Sequence, residues 1–213
     1  MTNFIPIFPL GLVVFPGEIL HLKIFEPRYK QLINECYEEN KSFGIPTVLN
    51  QSVTEIGTLV DIIEIVKLYP DGKMDIRTKG VRIFRILELV KDIPDKLYSG
   101  AIVIYPKNNE IDHKKLKEEV LAFIRKLHVL LNVTKHFSKP DKALTSYDIA
   151  HHAGLSIHEE YEFLGLIYEV QRLEFLKRFL RNVMPLMVGM EKLKEKIHLN
   201  GHFKELKGFN FNN

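Results

Sequence analysis

A chain of 213 residues, 46% of them hydrophobic, is long and apolar enough to bury a core as one large domain or two small ones, which excludes wholesale disorder. Its 30 basic and 27 acidic residues leave a formal net charge of +3, far below the excess expected of a dedicated nucleic-acid binder. The single cysteine, Cys36, cannot close an internal disulfide, and no apolar run reaches bilayer length, so the expected location is the cytoplasm, with no membrane contact.

The apolar stretch from Phe4 to Phe15 is interrupted by Pro6 and Pro9 and has no basic residue ahead of it, so it reads as neither signal peptide nor span. Pro27 to Asn40 carries Tyr29, Leu32, Ile33, Cys36 and Tyr37 at helical spacing, with Pro27 suited to a helix start. Around it the chain reads as strands. Gly57 to Leu68 is a β-branched run, Tyr69-Pro70-Asp71-Gly72 supplies turn chemistry, and Met74, Ile76 and Thr78 then alternate with charged residues, which makes a hairpin. Gly80 is expected to break the chain before a strand from Val81 to Leu89, and Gly100 to Tyr105 closes the β region ahead of Pro106.

From Asp112, read as an N-cap, the period changes to three or four. Leu116, Val120, Phe123, Ile124, Leu127, Leu130 and Leu131 form one face of a helix, with Lys114, Lys115, Lys117, Arg125 and Lys126 expected on the other. Residues 112 to 142 hold 8 basic and 4 acidic residues against 13 and 13 in residues 1 to 107, so the positive surplus lies here. A loop over Lys135 to Lys142 precedes a short helix that starts at Thr145 or Ser146 and finishes by Gly154; Ser156 and Glu159 then match a capping box. Tyr168 to Met184 sets Val170, Leu173, Leu176, Phe179, Leu180 and Val183 on one stripe, with Arg172, Lys177, Arg178 and Arg181 opposite. Pro185 is expected to end that helix, a last short one to carry Met190, Leu193, Ile197 and Leu199, and the tail from Gly201, with Phe203, Leu206, Phe209 and Phe211, to dock in part.

Three segments in order, Ile5-Pro-Ile-Phe-Pro-Leu10, Val14-Phe-Pro-Gly17 and Ile24-Phe-Glu-Pro-Arg-Tyr29, resemble the opening signature of the Lon protease N-terminal (substrate-binding) domain family. Phe43-Gly-Ile45, Gly57-Thr58, Gly154-Leu-Ser-x-x-Glu-Glu160 and Leu173-Glu-Phe-Leu176 extend the likeness over roughly residues 4 to 184. The resemblance implies an α+β fold. A PUA-like β pseudo-barrel of about six strands with one inserted helix would occupy residues 1–110, a helical bundle 111–185, and a C-terminal helix and tail 186–213. It also implies recognition of unfolded or hydrophobic polypeptide, or of a specific protein partner, by a stand-alone domain without the family's ATPase and protease parts. No Gly-x-x-x-x-Gly-Lys-Ser/Thr loop occurs; the one Gly-Lys pair, Gly72-Lys73, lies in the hairpin turn, and none of the six serines has the setting of the family's Ser-Lys dyad. An enzymatic role is not expected, and no cofactor or metal is implied.

An unfolded chain is best held by concave apolar surface or by an open strand edge. Candidate polypeptide-binding residues are Phe8, Leu12, Phe15, Leu22 and Phe25, around an apolar groove expected between barrel and bundle. Pro16 and Gly17 are read as turn formers, and Glu26, Pro27, Arg28 and Tyr29 as scaffold of the helix entry, with an ion pair between Glu26 and Arg28. His151, His152 and His158 match no zinc spacing and are read as helix-surface residues; Cys36 is read as an inert packed thiol. The alternative is RNA binding through the pseudo-barrel and the basic helix. It is disfavoured because no aromatic residues interleave with the lysines.

Overall fold

The computed structural model describes residues 3–109 and 111–202. Six strands come first: β1 (Asn3–Pro6), β2 (Ile19–Ile24), β3 (Phe43–Leu49), β4 (Ser52–Leu68), β5 (Met74–Val90) and β6 (Gly100–Ile104), with helix α1 (Pro27–Glu38) inserted after β2. Helices α2 (Lys114–Leu130), α3 (Ser146–Ala150), α4 (Ile157–Leu164) and α5 (Glu169–His202) follow. The α+β class, the strand number and the inserted helix are those anticipated.

The sheet runs β1-β6-β5-β4-β3, entirely antiparallel, and β2 pairs with the first half of β5. It curls until the chain after β1 meets β3. Phe8 N–H donates to the Gly44 carbonyl at 2.8 Å, and Val48 N–H to the Leu10 carbonyl at 2.7 Å, through parallel bridges that close the barrel. β5 does not break at Gly80. It passes through, with Val81 as an extra residue in the ladder to β4, because Gly80 exchanges hydrogen bonds with the turn at Gly17 and Glu18. That approach needs glycine: a Cβ at position 80 would stand 2.3 Å from the Phe15 carbonyl oxygen.

Inside the barrel, α1 lays Tyr29, Leu32, Ile33 and Cys36 against Phe8, Leu22, Ile24, Phe43, Val60, Met74 and Ile76. Pro27 occupies its first turn, where a missing N–H costs nothing. A second core joins barrel to helices. Val13, Phe15 and Ile83 from the barrel pack with Ile124, Tyr147, Phe163, Leu173, Leu176 and Leu180. Both short helices start with reciprocal caps, Thr145 with Asp148 and Ser156 with Glu159. Asp112, by contrast, caps nothing: α2 starts after His113, and the Asp112 carboxylate instead pairs with Lys117 at 3.0 Å.

The largest departure concerns α5, which continues through Pro185 for 34 residues, ~51 Å. Proline removes one backbone donor and crowds the carbonyl four residues back, a cost that packing can offset. Met184 is buried before it and Met187 is packed after it, so the helix is held on both sides of the proline. Leu193 therefore lies on the same helix and not on a separate short one. Phe203, Leu206, Phe209 and Phe211 lie outside the described residues.

Candidate functional site

Phe8 is inside the barrel, stacked on Tyr29 with ring centroids 3.8 Å apart, and Leu12 packs partly against the same core. Phe15 is enclosed by Tyr147, His151 and Phe163, with centroids 4.6 to 5.7 Å away. The groove anticipated between barrel and helices is thus filled at its apolar part, because the rings of both halves interdigitate. What stays open there is a polar cleft of about 390 Å³, lined by Pro16, Gly17, Asp61, Lys79, Lys139 and Thr145, among others.

Leu22 and Phe25 stand elsewhere, on a lobe made by β2, the start of β5 and the end of β4. Phe25 is 61% exposed just past the end of β2. Beside it a depression of about 410 Å³ is lined by Lys23, Ile24, Phe25, Tyr69, Lys73, Met74 and Asp75. A second, of about 290 Å³, is lined by His21, Leu22, Lys23, Val66, Asp75 and Ile76. The two share Lys23 and Asp75, which face each other across the β2–β5 ladder, so they form one continuous shallow surface. Just after Phe25 in the chain, Glu26 and Arg28 pair at 2.6 Å, and the Arg28 guanidinium lies 4.6 Å over the Tyr29 ring.

The end of β4 is shaped by two bulges, opposite Thr78/Arg77 and Ile76/Asp75 of β5. A strict alternation cannot bury both Ile62 and Ile65, which are three residues apart. Inserting Ile63 and Val66 as unpaired residues lets both face the core and leaves Ile63, Val66 and Leu68 exposed. The periodicity of this run gave no sign of it, since an unbroken apolar stretch reads alike with or without bulges.

Several charged side chains sit differently from their expected faces. Arg172 is fully buried. Its guanidinium donates to Ser146 Oγ (2.8 Å), Asn108 Oδ1 (2.8 Å), the Leu166 and Asn109 carbonyls (2.7 and 3.2 Å) and Glu169 Oε2 (2.8 Å), and it covers the Tyr147 ring at 4.2 Å. Lys117 is buried as well, donating to the Lys142 and Leu144 carbonyls. Arg125 is engaged by Asp141 at 2.6 Å and Lys177 by Glu119 at 2.7 Å. Of the five cations of the basic helix, Lys117 is thus buried and Arg125 is paired at the surface, while Lys114, Lys115 and Lys126 stay exposed.

His158 is exposed on α4 as expected, but His151 and His152 are not plain surface residues. His151 bridges the two halves, with Nε2 3.0 Å from Glu18 Oε2 in the barrel and Nδ1 3.0 Å from Glu160 Oε1 on α4. Burial opposes its charge, but the hydrogen bonds to Glu160 and Glu18 outweigh it and lift the pKa to about 9. His152 packs on Phe137 and His128; burial, then the nearby charges of Lys135, His128 and His151, push its pKa down to about 4. Cys36 is buried, and burial followed by the charges of Glu35 and Glu39 pushes its thiol up to about 12. Among the described residues no group of three or more His, Cys, Asp or Glu is placed to hold a metal, and no helix is long and apolar enough to cross a membrane.

Along residues 5–182 the chain matches the family model described as the ATP-dependent protease La (LON) substrate-binding domain. It is 20% identical over 224 residues to Lon protease 1 of Hydrogenovibrio crunogenus, aligning 92% of this chain with 26% of that protein. To the Lon protease of Cytophaga hutchinsonii it is 30% identical over 127 residues, 54% of this chain and 16% of that protein. The chain thus spans about a quarter or less of the curated relatives it matches. Among solved structures, a Lon N-terminal domain protein from Xanthomonas campestris superposes with a TM-score of 0.63 at 24% identity, over 82% of this chain and 96% of that one. The N-terminal domain of the Mycobacterium avium complex Lon protease gives 0.60 at 13% identity, over 84% and 98%. At these identities the two structures speak for the fold alone.

Proposed function

Because this chain belongs to the Lon substrate-binding domain family, matched over residues 5–182, we propose that it binds unfolded or hydrophobic polypeptide segments, or one such segment of a protein partner, without making or breaking a bond. The contact surface is the outer lobe of β2, β4 and β5. The observation that carries this reading is Phe25, a large aromatic side chain 61% exposed and flanked by the two joined depressions. Leu22, itself buried, lines the second of these, and Phe8 and Leu12 belong to the barrel core beneath, while Phe15 lies in the core against the helices.

Burying apolar area contributes about 25 cal/mol per Å², and an exposed Phe together with Val66 is the material for such burial. Ordering a flexible chain opposes it, so individual segments bind weakly and affinity comes from several contacts together. A mixed-charge lining of Lys23, Lys73 and Asp75 leaves selectivity to apolar content.

The test is titration of reduced, carboxymethylated α-lactalbumin and of single-stranded RNA into the protein at rising salt. Polypeptide affinity is expected to change little with salt and to fall about tenfold in Phe25→Ser, at unchanged melting temperature. RNA affinity that collapses with salt, beside no polypeptide binding, would replace this reading with the electrostatic one.

A further inference from the structure

We infer that residues 61–68 of β4 are an acceptor edge on which an extended polypeptide adds as a further strand, in line with β3. The inference rests on the polypeptide-binding reading and names where and how the main chain is gripped.

The β3–β4 ladder stops at Phe43 opposite Val60. One residue earlier, Ser42 leaves the sheet towards the end of α1, yet β4 runs on to Leu68, bonded to β5 alone. No described residue pairs with its other side. This bulged stretch, six ladder positions or ~20 Å long, therefore presents one margin of backbone donors and acceptors to the surroundings. An open cavity of about 730 Å³ lies where the ladder stops. Its walls include Tyr37, Asn40, Lys41 and Ser42 on one side and Asp61, Ile62 and Ile63 on the other. A space of that size is within the range that holds a ligand of several residues' bulk.

The side chains favour an apolar occupant. Each charged residue of the segment is already engaged: Asp61 accepts from Ser42 Oγ at 2.5 Å, Glu64 pairs with Arg77 at 2.9 Å, and Lys67 lies 4.5 Å over the Tyr69 ring. Ile63, Val66 and Leu68 are left exposed along the edge, with Tyr37 across the cavity. Natural sheets protect open edges with charges, lysine above all. The outer edge of β2 follows that rule, with exposed His21 and Lys23 on alternate positions; the margin of β4 carries Lys67 and two bulges, yet sets apolar Ile63, Val66 and Leu68 outward between its charges.

Hydrogen bonding to main chain explains why the occupant is an extended polypeptide and not a small molecule or nucleic acid. Only an extended chain offers a row of main-chain donors and acceptors to such an edge, and it does so whatever its sequence. Exposed apolar groups beside the edge then select segments with apolar side chains and without proline.

The experiment combines hydrogen exchange with a backbone-modified probe. With reduced, carboxymethylated α-lactalbumin bound, amides within 61–68 are expected to exchange at least about tenfold more slowly, while those of β2 are unchanged. A ten-residue Val/Thr peptide is expected to bind, and to lose at least about tenfold in affinity when the amides of one edge are N-methylated but not those of the other. Ile63→Lys with Val66→Lys changes only exposed positions, so the melting temperature should hold while affinity for the unfolded probe falls about tenfold. Binding of the probe with 61–68 unprotected, or equal binding of both methylated peptides, overturns this inference alone. No binding of any probe overturns it together with the reading on which it rests.

Discussion

Replacing Arg172 by methionine should unfold this protein far more readily than any surface change. The guanidinium is fully buried and makes five hydrogen bonds, so its removal strips partners from Asn108, the Asn109 and Leu166 carbonyls, and Ser146. It also leaves the Glu169 carboxylate, 4% exposed, with only the backbone N–H and hydroxyl of Ser146. Removing one partner of a buried ion pair costs about 3–5 kcal/mol, because the other charge stays desolvated. Against a total stability of about 5–15 kcal/mol that is a large fraction. Equilibrium urea unfolding should show it as a midpoint lowered by ~2 M for a slope of about 2 kcal/mol per M. The double variant Arg172→Met/Glu169→Leu removes both charges and should be more stable than Arg172→Met, although Ser146 then lacks an acceptor. A cost below about 1 kcal/mol for Arg172→Met, or a double variant whose loss is the sum of the singles, would refute the argument.

Gly80→Ala sets a methyl group 2.3 Å from a backbone oxygen that has no rotamer to move, and thermal unfolding should register a loss of about 1–3 kcal/mol. His151 binds its proton more tightly folded than unfolded, so its contribution is complete below about pH 6.5 and is lost as pH rises towards 9; His151→Gln should flatten that limb of the stability profile. His152 behaves oppositely. It stays neutral in the fold down to about pH 4, so stability falls as pH drops from about 6.5, a limb that His152→Phe should remove. Iodoacetamide should modify Cys36 at a rate limited by unfolding in buffer and quickly in urea, since burial holds the thiol protonated up to about 12.

The elements with local signals were legible. Pro27 and the spacing of Leu32, Ile33 and Cys36 marked α1, the turn over Tyr69 to Gly72 marked the hairpin, and Ser156 with Glu159 marked the start of α4. What escaped depended on partners distant in the chain. Arg172 follows helical periodicity onto a polar stripe, and only Asn108 and Ser146, 64 and 26 residues away, make its burial tolerable. His151 is likewise defined by Glu18, 133 residues earlier. Pro185 carries a strong local signal to stop, which packing of Met184 and Met187 overrides. Of the five residues proposed for the binding surface, only Phe25 is exposed, on the outer lobe; Leu22 lines a depression there but is itself buried. Phe8 and Phe15 went to the core, since hydrophobicity alone does not say which apolar side chains find neighbours.

The seam that closes the barrel has a bearing on how the molecule is made. Asn3 pairs with Val103, one hundred positions further along, and Phe8 and Leu10 lean on β3 at the same time. A nascent chain emerging from the ribosome cannot seat this strand until β6 has followed it out, and pairing between such distant partners slows folding. Until then Ile5, Ile7, Leu59 and Phe84 lack Ala101 and Val103, the β6 side chains that complete their core.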